Sequence, residues 1–159
     1  MVEQRDLEVS EIGIEPMGGH RLVGYLNSIL EVERAGTRVL SALMARGAPG
    51  ANALLAEVQR DQACNCAVLT RMVRRLGGAP SMAVGSFRDR VLARETLEDR
   101  LELLNQGHAW LARRLDHIVP HVADAGIRSA LGQIRDTHRA NIAACDVLLD
   151  GLTDLLDED

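Results

Sequence analysis

The sequence predicts an all-α fold, an antiparallel four-helix bundle with a long crossover between its second and third helices. Hydrophobic residues make up 47% of the 159 residues but aromatic residues only 2%. Leu and Ala must therefore fill the interior, and a sheet-based core is disfavoured. Four long segments also repeat apolar residues at alternating steps of three and four, which is the spacing of one buried helix face.

Residues that start and stop helices set the limits of these segments. Gly47 and the pair Gly77 and Gly78 are expected to end the first two helices. Thr96 and Asp124 are expected to cap the last two. We therefore predict four helices at about residues 20–46, 49–76, 96–119 and 124–151.

Acidic residues concentrate at the two ends of the chain. Residues 1–18 carry five acidic groups and one arginine, and residues 150–159 carry five acidic groups and no base. Neither end has a periodic apolar pattern that would anchor it. We therefore expect a mobile acidic arm at 1–18, one bundle domain at 19–152 and an acidic tail at 153–159, with a short helical turn near Ser86 in the crossover.

Composition and spacing also exclude several classes of protein. All 18 basic residues are arginines that lie among carboxylates without an aromatic stacking set, so no nucleic-acid partner is expected. No apolar run reaches the length of a membrane span and the N-terminus is acidic, so neither a membrane span nor a secretory leader is expected. Three cysteines without zinc-site spacing favour a cytoplasmic location. No catalytic residue can be assigned, and the substrate and the question of enzymatic activity stay open.

One polar residue interrupts each apolar stripe near its middle. These residues are Glu33, Asp61, His108 and His138. The middles of antiparallel helices lie at one level, so we expect the four side chains to converge. An unpaired buried carboxylate is costly, whereas a nearby imidazole or cation compensates it.

Two interpretations of this cluster stay open. In the first, the carboxylates and imidazoles bind one divalent metal, Fe, Zn or Mn, and further donors a turn away are Cys64, Asn65 and Asn141. In the second, the cluster is metal-free, because Glu33 and Asp61 pair with the histidines and fix the helix register.

Four stretches of the chain resemble an uncharacterised bacterial ferritin-like family of unknown function, over about residues 22–149. They read LNSILEVERAGTRVL, DQACNCAVLTRMVRRLGGAPS, RLELLNQGHAWLARRL and HRANIAACDVLL. The resemblance implies the ferritin-like superfamily, whose members include ferritins, rubrerythrins and di-iron oxidases.

The chain departs from the ferritin-like di-iron pattern, in which two helices each supply a Glu and the other two each supply Glu-x-x-His. Glu33 matches the first helix, but Cys64 stands where the second would offer His, and His108 stands where the third would offer Glu. The resemblance therefore implies a ferritin-like protein with a site for one divalent metal. The alternatives are a non-catalytic structural or interaction protein with a degenerate polar core and an iron-dependent oxidoreductase.

A homodimer is expected from apolar residues outside the stripes. Tyr25 and Trp110 need cover, and so do three leucines at outer positions, Leu30, Leu55 and Leu103. A second copy of the chain would supply it.

Overall fold

The computed structural model describes residues 17–48 and 50–157, and within these ranges the protein is all-α. There are five α-helices, one 3-10 helix at Val119–His121, and no strand in this part of the chain. The α-helices are Gly19–Ala45 (α1), Asn52–Arg75 (α2), Phe87–Leu92 (α3), Leu97–Ile118 (α4) and Ala125–Asp157 (α5).

Glycines and capping side chains end and begin the helices as the sequence predicts. Gly47 and Gly77 follow α1 and α2 with φ angles of 78° and 80°, a left-handed conformation that costs glycine no side-chain strain. At the start of α4, the hydroxyl of Thr96 accepts a hydrogen bond from the backbone N–H of Asp99 at 3.1 Å. Asp124 caps α5 in the same way.

The last helix is longer than the sequence predicts. The expected end at Gly151 is wrong, because α5 continues through this glycine to Asp157. A glycine inside a helix costs only about 1 kcal/mol relative to alanine, and the next residue, Leu152, packs against the core. The expected tail at 153–159 is thus helical as far as Asp157. Most of the expected arm, residues 1–16, lies outside the described residues.

The four long helices pack most extensively as two antiparallel pairs, α1 with α2 and α4 with α5. In the first pair, Gln59 lies beside Ser41 and Asn65 lies beside Glu33, so residue numbers rise along one helix as they fall along the other. In the second pair, the side-chain amide of Asn105 donates to Asp146 at 2.7 Å.

The core consists of two apolar clusters with a polar layer between them. One cluster includes Leu26 and Leu69, and the other includes Leu40 and Leu55. Seven polar side chains are buried; one of them, Asn105, bonds to α5, and the other six form what we call the polar layer: Glu33, Gln62, Asn65, His108, His138 and Asn141.

Three of the five residues on which the homodimer was predicted are buried within the chain itself. Tyr25, Leu30 and Leu55 need no second copy for cover, so this part of the expectation is wrong. Leu103 is half-buried, and Trp110 is 46% exposed. Among the described helices, none is long and apolar enough to cross a membrane.

The crossover between α2 and α4 is tied to α1 by polar side chains of that helix. The Asn27 side chain donates to the carbonyl of Ala79 at 3.0 Å and accepts from the N–H of Ser81 at 2.8 Å. The Ser81 hydroxyl donates to Glu31 at 2.5 Å, and Arg34 donates to the Ser81 carbonyl at 2.6 Å. These contacts fix the crossover, which contains the expected short helix α3.

Candidate functional site

One half of the polar layer is a fully buried carboxylate–imidazole pair. Glu33 of α1 and His138 of α5 have no exposed side-chain surface. Nε2 of His138 donates to Oε1 of Glu33 at 2.5 Å, and the Asn65 amide donates to the same oxygen at 3.2 Å. The pair joins the two helical hairpins, because each partner comes from a different one.

The other half of the polar layer is an amide–imidazole pair. The amide nitrogen of Gln62 lies 2.7 Å from Nε2 of His108, and the His108 ring centroid lies 5.0 Å from that of His138. Burial lowers the pKa of His108 to about 3, with a smaller contribution from repulsion by the neighbouring His138. With its proton on Nδ1, a neutral His108 accepts at Nε2, and the facing Gln62 amide nitrogen is then the donor.

The structure brings together three of the four predicted side chains, Glu33, His108 and His138, with Asn65 and Asn141 in the same layer. Asp61 is only half-buried and lies outside the layer, and Cys64 is exposed. On α2, the buried stripe therefore differs from the predicted one by one residue at every second position, and Asp61 is not part of it.

Gln62 takes the buried position that the sequence interpretation gave to Asp61. The observed stripe on α2 keeps the steps of three and four and runs through Leu55, Val58, Gln62, Asn65, Leu69 and Met72. The predicted stripe has the same spacing but passes through Leu54, Asp61 and Val68 in place of Leu55, Gln62 and Leu69. The signal that separates them is chemical, because an uncharged amide costs less to bury than a carboxylate.

The polar layer does not fit a ready metal centre. In the described ranges, no group of three or more His, Cys, Asp or Glu side chains is placed to hold a metal ion. Glu33 and His138 are bonded to each other and His108 is bonded to Gln62, so these donors are already engaged. Several buried polar atoms nevertheless have no hydrogen-bond partner in the described protein: Glu33 Oε2, Gln62 Oε1, Asn105 Oδ1, His138 Nδ1 and Asn141 Nδ2.

A cavity of about 470 Å³ leads from the surface to the polar layer. Its mouth lies between the crossover and α4, where Arg90 and Trp110 are exposed. Its floor consists of the buried side chains of Gln62, His108 and His138. The walls between mouth and floor are mainly apolar, and include Val32, Ala35, Val84, Phe87, Leu104 and Leu111.

Two glycines make room around the cavity. A Cβ on Gly36 would lie under 3.0 Å from the carboxamide of Gln62, and one on Gly107 would lie 2.8 Å from the ring of Phe87. The sequence analysis predicted neither the cavity nor the close approach of another side chain to each of these glycines. The one signal available was Gly36, a glycine inside an otherwise apolar stripe, which indicates a close approach by another group.

The chain belongs to a family described as a domain of unknown function (DUF6306), which matches residues 20–147. The match includes all six members of the polar layer and the whole cavity wall. No curated protein and no solved structure matches the chain.

Acid is expected to destabilise the protein through His108. The unfolded state binds a proton at this residue below its ordinary pKa of 6.5, whereas the native state does so only below about 3. Stability should therefore fall as the pH falls between these values, by up to about 1.4 kcal/mol per pH unit. Urea unfolding across this range should show that the wild type loses more stability than His108→Gln. If the free energies of unfolding of the two proteins depended on pH in the same way, His108 would not be the source of the acid sensitivity.

Proposed function

We propose that this chain is a ferritin-like four-helix bundle protein that binds a small, mainly apolar molecule in the cavity above the polar layer. Residues of α2 and α4 that belong to the same core cluster support the four-helix bundle. Leu69 of α2 clusters with Leu115 of α4, and Leu55 of α2 clusters with Leu101 of α4. Such pairs support parallel α2 and α4 with a crossover along the bundle, as in ferritin-like proteins.

The observation that carries the proposal is the cavity itself. Its volume of about 470 Å³ lies within the range of small-molecule sites. Apolar walls that end on a few buried polar groups are also typical of such sites, because the walls contribute affinity and the polar groups fix orientation. The aromatic rings of Phe87 and Trp110 line the outer part of this cavity.

Titration with 4-ethyltoluene, an apolar probe, tests the proposal. Trp110 is the only tryptophan of the chain and lies on the cavity wall, so its fluorescence reports occupancy. We expect saturable quenching or a shift of the emission with the wild type. Absence of any saturable change would contradict the proposed function.

A matched pair of variants locates the binding. Val84 lines the cavity, whereas its neighbour Ala83 is exposed and does not. Val84→Phe fills space at the wall and should weaken probe binding at least about tenfold, equivalent to 1.4 kcal/mol. Ala83→Phe adds the same ring outside the cavity and should leave the affinity unchanged. Equal effects would place the probe elsewhere on the surface.

The second candidate function is binding of one divalent metal, Fe, Zn or Mn, by Glu33, His108 and His138. The observation that favours it is the convergence of these side chains, together with the unpartnered Oε2 of Glu33. A metal would bind either the unpartnered Oε2 of Glu33 and Nδ1 of His138 or the two atoms that now form the Glu33–His138 hydrogen bond. Asn65 and Asn141 are the nearest further donors of the polar layer, since Asp61 and Cys64 lie outside it.

A chelator distinguishes the metal from a metal-free layer. If metal is bound, chelation should lower the melting temperature of the wild type and have little further effect on His138→Ala, because a ligand that binds only the folded state stabilises it. A wild-type melting temperature that ignores both chelator and added metal would contradict the second candidate.

The remaining expectations depend on these tests. A structural or interaction role follows if neither an apolar probe nor a metal binds, and an iron-dependent oxidoreductase requires the metal result first. We also propose that the protein is cytoplasmic. We propose in addition that it is a homodimer, and the exposed ring of Trp110 is now the chief support for the dimer. A monomeric mass in light scattering would contradict the dimer.

A further inference from the structure

The floor of the cavity holds a buried hydrogen-bond acceptor without a partner. Gln62 is 2% exposed, its Oε1 makes no hydrogen bond to the described protein, and the residue lines the cavity. An acceptor buried in this way costs about 1–3 kcal/mol when it stays unpaired. Oε1 itself has almost no exposed surface, so a ligand donor meets it through a small turn of the carboxamide towards the cavity, and a molecule that supplies such a donor is favoured over one that does not.

The two hydrogen-bonding ends of the Gln62 amide meet different surroundings. Its nitrogen donates to Nε2 of the neutral His108, so the oxygen is the end left free. The carboxamide lies against Gly36, another residue of the cavity wall, where a Cβ would overlap it unless the side chain moved.

The surroundings of this acceptor disfavour a charged group. His108 and His138 are buried on the same floor, and the Glu33 carboxylate lies directly behind His138. A carboxylate or an ammonium placed there would lose its hydration without a counter-charge, because Glu33 is paired with His138 and the two charged lining residues, Glu31 and Arg90, are not among the buried groups of the floor.

We infer that the ligand is a neutral, mainly apolar molecule with one hydroxyl or N–H group, which donates a hydrogen bond to Oε1 of Gln62. The apolar or aromatic part of the ligand lies along Leu104, Leu111 and Phe87, towards Trp110 at the mouth. This inference rests on the proposed function and adds the chemical class of the ligand.

Calorimetric titration of the wild type with three probes of matched shape tests the inference. 4-Ethylphenol carries a hydroxyl donor, 4-ethyltoluene has a methyl group in its place, and 4-ethylbenzoate carries a charge. We expect 4-ethylphenol to bind about tenfold more tightly than 4-ethyltoluene, and 4-ethylbenzoate to bind least. Equal affinity for the phenol and the toluene would overturn the inference, and so would tightest binding of the benzoate, since Arg90 at the mouth would then select the ligand.

A variant assigns the preference to Gln62. Gln62→Leu removes the acceptor at nearly constant volume, and in a His108→Leu background, where no freed imidazole nitrogen can replace it, it should abolish the preference for 4-ethylphenol while 4-ethyltoluene still binds. Gln62→Met serves the same purpose if the leucine variant does not fold. A preference that survives both substitutions would overturn the role of Gln62. Failure of all three probes to bind the wild type would instead contradict the proposed function, so the two failures are distinct.

Discussion

Replacing His138 with alanine is expected to lower the free energy of unfolding by about 3–5 kcal/mol, because it leaves the Glu33 carboxylate buried without its main partner. Both side chains are fully buried and are joined at 2.5 Å. Urea unfolding at neutral pH measures the effect.

His117→Ala is the matched control for this prediction. His117 lies on α4 but is exposed, so the same substitution there should change the free energy of unfolding by no more than about 0.5 kcal/mol. In a double-mutant cycle, His138→Ala should also cost much less in a Glu33→Leu background. Equal small losses for His138→Ala and His117→Ala would show that the pair does not hold the hairpins together.

Replacing Gly36 with alanine is expected to lower the free energy of unfolding by about 1–2 kcal/mol, since the overlap of the new methyl group with the buried, hydrogen-bonded Gln62 carboxamide outweighs the gain in helix propensity. Gly24 lies in the same helix with nothing within 4 Å of its added Cβ. Gly24→Ala should therefore raise the free energy of unfolding by about 0.5–1 kcal/mol. Thermal or urea unfolding of the two variants gives the comparison, and changes of the same sign would contradict the close approach of Gln62.

The helices were predictable because periodicity and turn residues encode them locally. On α1, every member of the expected stripe is buried: Leu22, Leu26, Ile29, Glu33, Gly36, Leu40 and Leu43. On α2, two stripes displaced by one residue at alternate positions are equally regular, so periodicity alone could not choose between Asp61 and Gln62. The choice depends on which helix faces meet, and this is a tertiary property.

The side chains of the polar layer except Gln62 were predictable, but their pairing was not. Mid-helix positions in one bundle lie at one level, so the approach of Glu33, His108 and His138 follows from the sequence. The bond between Gln62 and His108 depends on the missing side chain of Gly36. The metal role of the layer stays a prediction.

The cavity could not be predicted because it belongs to no single element. Its wall combines α1 and α4 with the crossover, where Val84 and Phe87 face the layer from outside the helix pairs. The crossover is positioned by irregular polar contacts such as those of Ser81 with Glu31 and Arg34. Such contacts have no periodic signal in the sequence.

A crystal structure of the protein soaked with 4-ethylphenol tests the central claim most directly. The account predicts density for the ring between Phe87 and Leu104, with the hydroxyl within about 3 Å of Oε1 of Gln62, an ordinary hydrogen-bond distance. An empty cavity at full soaking, or a probe bound only on the outer surface while a metal ion occupies the polar layer between Glu33 and His138, would contradict it.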